Sequence, residues 1–278
     1  MAANVRFSLF TKPWPDLPLP QLGEMVADMG FDGIELPVRP GFQLTPEQVA
    51  GLPGAARTLA ELGVRLFSIA GPTDQATIAA CAEVGTAIGG QPPIIRTMAR
   101  IPDGVPYLEA EAALRREYEA LLPLLERYGV RVGIQNHCGR YVSHAMGLRR
   151  LVEGLDPRYI GIVWDAAHNA LQGEPADLAL DIVWSHLYMV NLKNAFWRQT
   201  NGPEAEWAEW SRYWTDGRHG LASWPNVIGE LKRRAYTGVL CLTAEYTEQA
   251  QVNRLIRADL AFAKELCNES TPVVESRL

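Results

Sequence analysis

Eight times along this chain a short apolar run gives way to a longer amphipathic stretch, and no other feature restricts its fold as much. The apolar runs cover residues 5–10, 33–36, 64–69, 94–98, 130–134, 160–164, 187–190 and 239–244, and their β-branched content reads as buried strands. The stretches 19–29, 46–62, 74–87, 110–128, 143–153, 175–183, 223–234 and 249–267 read as helices. In 110–128 the residues Leu114, Tyr118, Leu121, Leu122 and Leu125 recur at helical spacing. Gly63 and Gly129 stand at helix ends just before strands, and Pro225 suits a first turn. Each strand–helix unit has about 30 residues, the size of a βαβ repeat. Eight right-handed crossovers of that length close into a (β/α)8 barrel, an α/β fold. An open doubly wound sheet would carry a glycine-rich phosphate loop after its first strand, where this chain has Thr11-Lys12-Pro13-Trp14-Pro15.

With 278 residues, 47% hydrophobic and 21% charged, the chain can bury a core as one barrel over residues 1–267, followed by an aperiodic tail, 268–278. The formal net charge is -6 and no run of Lys or Arg offers a nucleic-acid footprint, so a small or neutral polar substrate fits better than a polyanion. Cys81, Cys138, Cys241 and Cys267 are scattered without a CxxC pair and read as free thiols in a reducing compartment. The N-terminus lacks the apolar core of a signal peptide, and no run approaches the roughly 20 residues of a membrane span. These features predict a cytoplasmic protein without membrane or nucleic-acid partners, and a homo-oligomer is compatible with them.

Four apolar runs end on polar groups. The run 160–164 stops at Asp165, with His168 expected on the following loop; 130–134 runs into Gln135-Asn136-His137; 187–190 into Asn191-Leu192-Lys193; and 239–244 into Glu245. A carboxylate is unfavourable inside a sheet layer, so these residues belong where strands emerge. The barrel mouth is thereby offered Glu35, Gln135, His137, Asp165, His168, Asn191, Lys193, Arg218, His219 and Glu245. Oxygen donors and imidazoles converging from successive strands suit a divalent cation such as Mg, Mn or Co. Glu35 has a second reading, an ion pair with Arg39. The connection 193–222 is long and rich in aromatics, including Phe196, Trp197, Trp207, Trp210, Tyr213 and Trp214. It reads either as a small capping core or as a lid whose Phe196 and Trp197 rings stack on a ligand at the mouth.

The stretches Gly30-Phe31-Asp32-Gly33-Ile34-Glu35, Val132-Gly133-Ile134-Gln135-Asn136-His137, Trp164-Asp165-Ala166-Ala167-His168, Val190-Asn191-Leu192-Lys193-Asn194 and 238–245 resemble the xylose-isomerase-like TIM barrels, across about 5–266. That family holds sugar isomerases, sugar epimerases, inosose-processing enzymes and repair endonucleases. The resemblance implies four metal ligands, typically Glu, Asp, His and Glu, at the ends of the last four strands. The matching positions here are Gln135, Asp165, Asn191 and Glu245, so an amide replaces one glutamate and another replaces the histidine. Both amides still offer a carbonyl oxygen, but the set has two carboxylates and no imidazole, which implies a weakened or absent divalent metal.

His168 and Lys193 fall on the family's histidine and lysine positions. The family's paired-glutamate proton transfer is not available to Gln135, leaving Glu245 with His137 or His168 as partner. The implied activity is an isomerase or epimerase on a monosaccharide, keto-sugar or inositol-type polyol. A lyase on an oxidised sugar or glycoside, and a non-catalytic sugar-binding subunit, are the alternatives. The nuclease branch needs histidines on the second and third strands, which here end Glu35-Leu36-Pro37 and Ser68-Ile69-Ala70.

Overall fold

The computed structural model describes residues 5–269. Eight parallel strands close into a barrel: β1 (Arg6–Phe10), β2 (Gly33–Pro37), β3 (Arg65–Ala70), β4 (Ile94–Met98), β5 (Val132–Gln135), β6 (Ile160–Asp165), β7 (Leu187–Leu192) and, after an antiparallel hairpin of β8 (Asn194–Gln199) and β9 (Trp210–Thr215), β10 (Val239–Leu242), which pairs with both β7 and β1. Around it lie α1 (Leu19–Met29), α2 (Leu52–Glu61), α3 (Gln75–Ile88), α4 (Tyr107–Tyr128), α5 (Ala145–Val152), α6 (Ala166–Leu171), α7 (Ala176–Val183), α8 (Trp224–Arg233) and α9 (Val252–Asn268).

Side chains alternate along each strand. Leu9, Ile34, Leu66, Ile95, Val132, Ile134, Ile162, Trp164, Val190 and Leu240 belong to the large apolar cluster that includes the helices. Phe10, Ala70, Val163, Met189 and Cys241, on the alternate positions, form a second small cluster inside the barrel. The same period therefore turns Glu35, Arg96, Gln135, Asp165 and Asn191 towards the interior. The barrel tolerates only hydrogen at some points: a Cβ on Gly161 would lie 2.5 Å from the His186 carbonyl oxygen.

Helix ends follow their local chemistry. Asp74 caps α3, accepting from Thr77 N at 2.9 Å; Ser223 caps α8, with a proline in the first turn; and Gly30 ends α1 at a φ of 84°. The segment expected as one helix over 46–62 begins with a 3-10 turn, Pro46–Gly51, before α2. The expected loop after β6 is instead α6, so His168 lies in a helix; Asp165 caps it, accepting from His168 N at 3.0 Å. The expected tail begins inside α9, which extends to Asn268, and residues 270–278 lie outside the described residues. No helix among the described residues is long and apolar enough to cross a membrane.

The hairpin fills most of the long connection. Its base is fixed by Asn194, whose Nδ2 donates to the carbonyls of Gly217 and Ala222 at 3.0 and 2.9 Å while Oδ1 accepts from the amides of Ala195 and Ala222. Trp214 exchanges hydrogen bonds with Thr247 in the loop after β10. Ala195 and Trp214 pack with Cys138, Ala167 and Leu171, which seats the hairpin beside the carboxyl ends of β5 and β6.

Candidate active site

A small polar cavity of about 50 Å³ lies at the carboxyl ends of the strands, lined by Phe10, Lys12, Arg39, Arg96, Met98, Gln135, His137, His168, Asn191, Thr243 and Glu245. A groove of about 410 Å³ adjoins it through Lys12 and Glu245, with Trp214 and Tyr246 in its wall. The floor is an ionic chain. Arg96 Nε donates to both oxygens of Glu35 at 2.8 and 2.9 Å, and Ser68 Oγ donates to the same carboxylate at 3.0 Å. Another Arg96 nitrogen donates to Gln135 Oε1, and Gln135 Nε2 donates to Asp165 Oδ2 at 2.8 Å. Glu35 and Asp165 are fully buried and Arg96 nearly so. Arg96 also stands 4.7 Å from the centre of the Phe10 ring. Glu35 therefore pairs with Arg96, not with Arg39.

Glu245 is bridged by two ammonium groups, Lys193 Nζ at 2.6 Å and Lys12 Nζ on its other oxygen. Burial opposes its charge, but Lys193 and Lys12 overcome that and hold its carboxyl far below the usual range. Burial pushes the Asp165 carboxyl up. Lys193 does not border the cavity; it sits behind Glu245 with its ammonium 3.7 Å from the centre of the Trp214 ring.

Above this floor the His137 and His168 rings lie 4.0 Å apart, centre to centre. Burial lowers the His137 pKa to about 4 and depresses that of His168 well below its usual value, so both are neutral near pH 7. Their partners fix the tautomers. His137 Nδ1 is 2.8 Å from the Cys138 carbonyl, an acceptor, so Nδ1 carries the hydrogen and Nε2 the lone pair. His168 Nδ1 accepts from Cys138 N at 3.3 Å, which places its hydrogen on Nε2, 4.0 Å from Asp165 Oδ2.

The acidic side of the stability curve follows from these histidines. Folding favours neutral His137, so its contribution is full above the unfolded pKa near 6.5 and is lost as pH falls towards about 4. Asp259, raised to about 6 by burial, works in the opposite sense over part of that window. The two are separated by comparing wild type with His137→Gln. The gap between their melting temperatures should narrow steadily from pH 7 to pH 4.5, and parallel curves would show that His137 is not held neutral.

The oxygen cage implied by the resemblance is not assembled. Gln135 Oε1 accepts from Arg96, Gln135 turns its N–H towards Asp165, and both Glu245 oxygens hold lysines. Asn191 is fully buried, and neither its Oδ1 nor its Nδ2 has a partner among the described residues. With both Glu245 oxygens held by lysines, Asp165 accepting from the Gln135 side-chain amide and the His168 backbone N–H, and the Gln135 oxygen taken by Arg96, these four residues do not fit a hard divalent ion in this arrangement. Among the described residues one group of His, Cys and carboxylate side chains has donors close enough to share a metal: His137, Cys138 and His168, whose ligand atoms all lie within 4.8 Å of one another. That set is nitrogen and sulfur, and Arg212 donates to the Cys138 sulfur at 2.8 Å.

The expected aromatic lid is differently placed. Trp197 Nε1 donates to the Leu171 carbonyl at 3.1 Å, and Phe196 stacks on Tyr213 within the hairpin. Neither borders the mouth cavity, whereas Trp214 walls the groove. Arg218 lies over the Phe262 ring and reaches Glu265, and His219 pairs with Asp216; both are exposed and away from the cavity. Sequence reasoning missed Arg96 and Lys12. The first carried a signal, because a guanidinium between Ile95 and Thr97 in an apolar strand requires a buried acid.

Three solved structures show the same fold at low identity. A 3-keto-D-glucoside 4-epimerase from E. coli superposes with a TM-score of 0.68 at 15% identity, covering 94% of this chain and 99% of that one. D-psicose 3-epimerase with D-tagatose, from Clostridium cellulolyticum H10, gives 0.69 at 12%, covering 95% and 99%. The IOLI protein with a zinc atom gives 0.70 at 13%, covering 95% and 98%. No curated protein matches the sequence. The sequence itself matches the xylose isomerase-like TIM barrel over residues 24–266, and with the closed eight-stranded barrel this establishes that the chain belongs to that family.

Proposed function

We propose that this protein is an isomerase or epimerase that moves a proton on a monosaccharide, keto-sugar or inositol-type polyol at the barrel mouth. The observation that carries the reading is His137: neutral, with its Nδ1 hydrogen held by the Cys138 carbonyl, it has an unprotonated Nε2 with no partner among the described residues, and it borders the cavity. Such a nitrogen can take the acidic hydrogen next to a carbonyl group. Lys12 and Arg96 border the same cavity and can stabilise the negative charge that then develops on the carbonyl oxygen. His168 and Asp165 act through position: the helix cap and the Cys138 contacts hold the ring that lies tilted against His137. Glu245 fixes two lysines and is a poor base because they hold its proton affinity down. No step is routed through a divalent metal, because the four oxygen donors do not fit one. The similarity to sugar epimerases of the same fold supports the general kind of reaction. The four cysteines, all free and buried, fit a reducing, cytoplasmic setting.

The test is proton exchange. Incubated in deuterium oxide with a panel of ketoses and inososes, the protein is expected to place deuterium beside the carbonyl of at least one of them. Dialysis against a chelator is expected to leave that rate unchanged. Absence of exchange across the panel would sink the reading, and loss of exchange on chelation, restored by Mn or Zn, would return the metal to the mechanism.

A further inference from the structure

Three cationic side chains border the mouth cavity, Lys12, Arg39 and Arg96, and among the described residues only two of them have an ion-pair partner. Arg96 is neutralised by Glu35, and Lys12 by Glu245, which it shares with Lys193. The Arg39 guanidinium makes no hydrogen bond and no ion pair with any described residue. Around the site four cations (Lys12, Arg39, Arg96, Lys193) face three carboxylates (Glu35, Asp165, Glu245), in a chain whose formal net charge is -6. The surplus is local and belongs to one residue.

The backbone at Arg39 is also held in place. It follows β2, and the short loop after it is closed by Arg39 N donating to the Leu44 carbonyl at 3.1 Å, Phe42 N donating to the Arg39 carbonyl at 3.3 Å, and a bridge between Val38 and Leu44. Its side chain is half-buried; burial and the neighbouring Arg96 charge disfavour its charged form, and Glu35 and Glu245, near but not bonded to it, offset this only in part. A partly desolvated guanidinium that no described acid bonds keeps its fork of donors free for one. The cavity has the matching size. About 50 Å³ is room for a few atoms, since one water occupies about 30 Å³, while the adjoining 410 Å³ groove can take a sugar-sized body.

We propose that the substrate carries one oxyanion group, a carboxylate or a phosphate, and that Arg39 binds it at the edge of the small cavity, with the reacting carbon beside His137 and the remainder of the molecule in the groove beside Trp214. This names the substrate class for the isomerase reading and rests on that reading for the reaction, though not for binding.

The experiment is calorimetric titration of wild type, Arg39→Gln and Arg39→Lys with matched pairs: glucuronate and glucose, galacturonate and galactose, fructose 6-phosphate and fructose. Titration at raised salt removes non-specific attraction. At least one acid should bind about 10–100-fold more tightly than its neutral twin, the range expected for hydrogen bonds to a charged group. The carboxylate and phosphate pairs tell which group is recognised. Arg39→Gln should abolish the preference and Arg39→Lys should keep part of it, with both variants melting as wild type does.

Equal binding of acids and neutral twins, no binding by any acid, or a preference that survives Arg39→Gln would overturn the assignment. Deuterium exchange, measured alongside, separates the two claims. An Arg39-dependent acid preference without exchange supports the assignment and removes the isomerase reading. Exchange into neutral sugars that Arg39→Gln leaves untouched does the reverse.

Discussion

Replacing Arg96 by methionine should lower the melting temperature by about 6–20 °C, the largest stability effect expected of a single change at the site. Methionine keeps much of the volume and the stem but removes the charge facing Glu35, which is fully buried and retains only the Ser68 hydroxyl. Breaking a buried pair from one side costs about 3–5 kcal/mol, and each kcal/mol is about 2–4 °C in a domain of this size. Gln135 Oε1 loses its donor in the same change. The double variant Glu35→Leu with Arg96→Met removes the stranded charge and should recover at least half of the loss, because the two sites are coupled. A calorimetric scan of the wild type, both single variants and the double variant is the check. Additive losses would mean that the two side chains do not share an ion pair in solution.

The largest effect on turnover is expected from His137→Gln. If the unprotonated Nε2 is the base, its removal should slow deuterium exchange by about 10²–10⁴-fold while leaving substrate affinity nearly unchanged. The wild-type rate should be level around neutral pH and fall as pH drops through about 4, where His137 protonates. Glu245→Gln is the contrasting variant. It frees Lys12 and Lys193 from their shared carboxylate and should weaken substrate binding more than it slows exchange. A Glu245→Gln variant that loses exchange as completely as His137→Gln, at unchanged affinity, would place the base on the carboxylate instead.

The alternation of apolar runs and amphipathic stretches determined the barrel, because both periods are local properties of the chain. A strand of four to six residues buried on both faces can hardly be anything else when a helix of the right length follows it. The strand ends were legible for the same reason: Gln135, Asp165, Asn191 and Glu245 break apolar runs, and all four sit at the carboxyl end of the barrel. The turn of helix that carries His168 escaped notice because Ala166–Leu171 is too short to show a period.

What those end groups do was decided by tertiary structure. Glu35 had a plausible partner four residues away in Arg39, but barrel closure delivered Arg96, 61 residues distant, and left Arg39 bonded to no described acid. Glu245 takes its lysines from residues 12 and 193, so the charge that looked ready for a metal is spent on side-chain cations. The hairpin, too, is non-local: ten residues separate β8 from β9, with no tight two-residue turn to announce them. Its register points Trp197 at the Leu171 carbonyl and leaves Trp214 beside the groove. Sequence period sets which face of an element is buried, whereas the partner of a buried charge is set by where closure brings distant strands together.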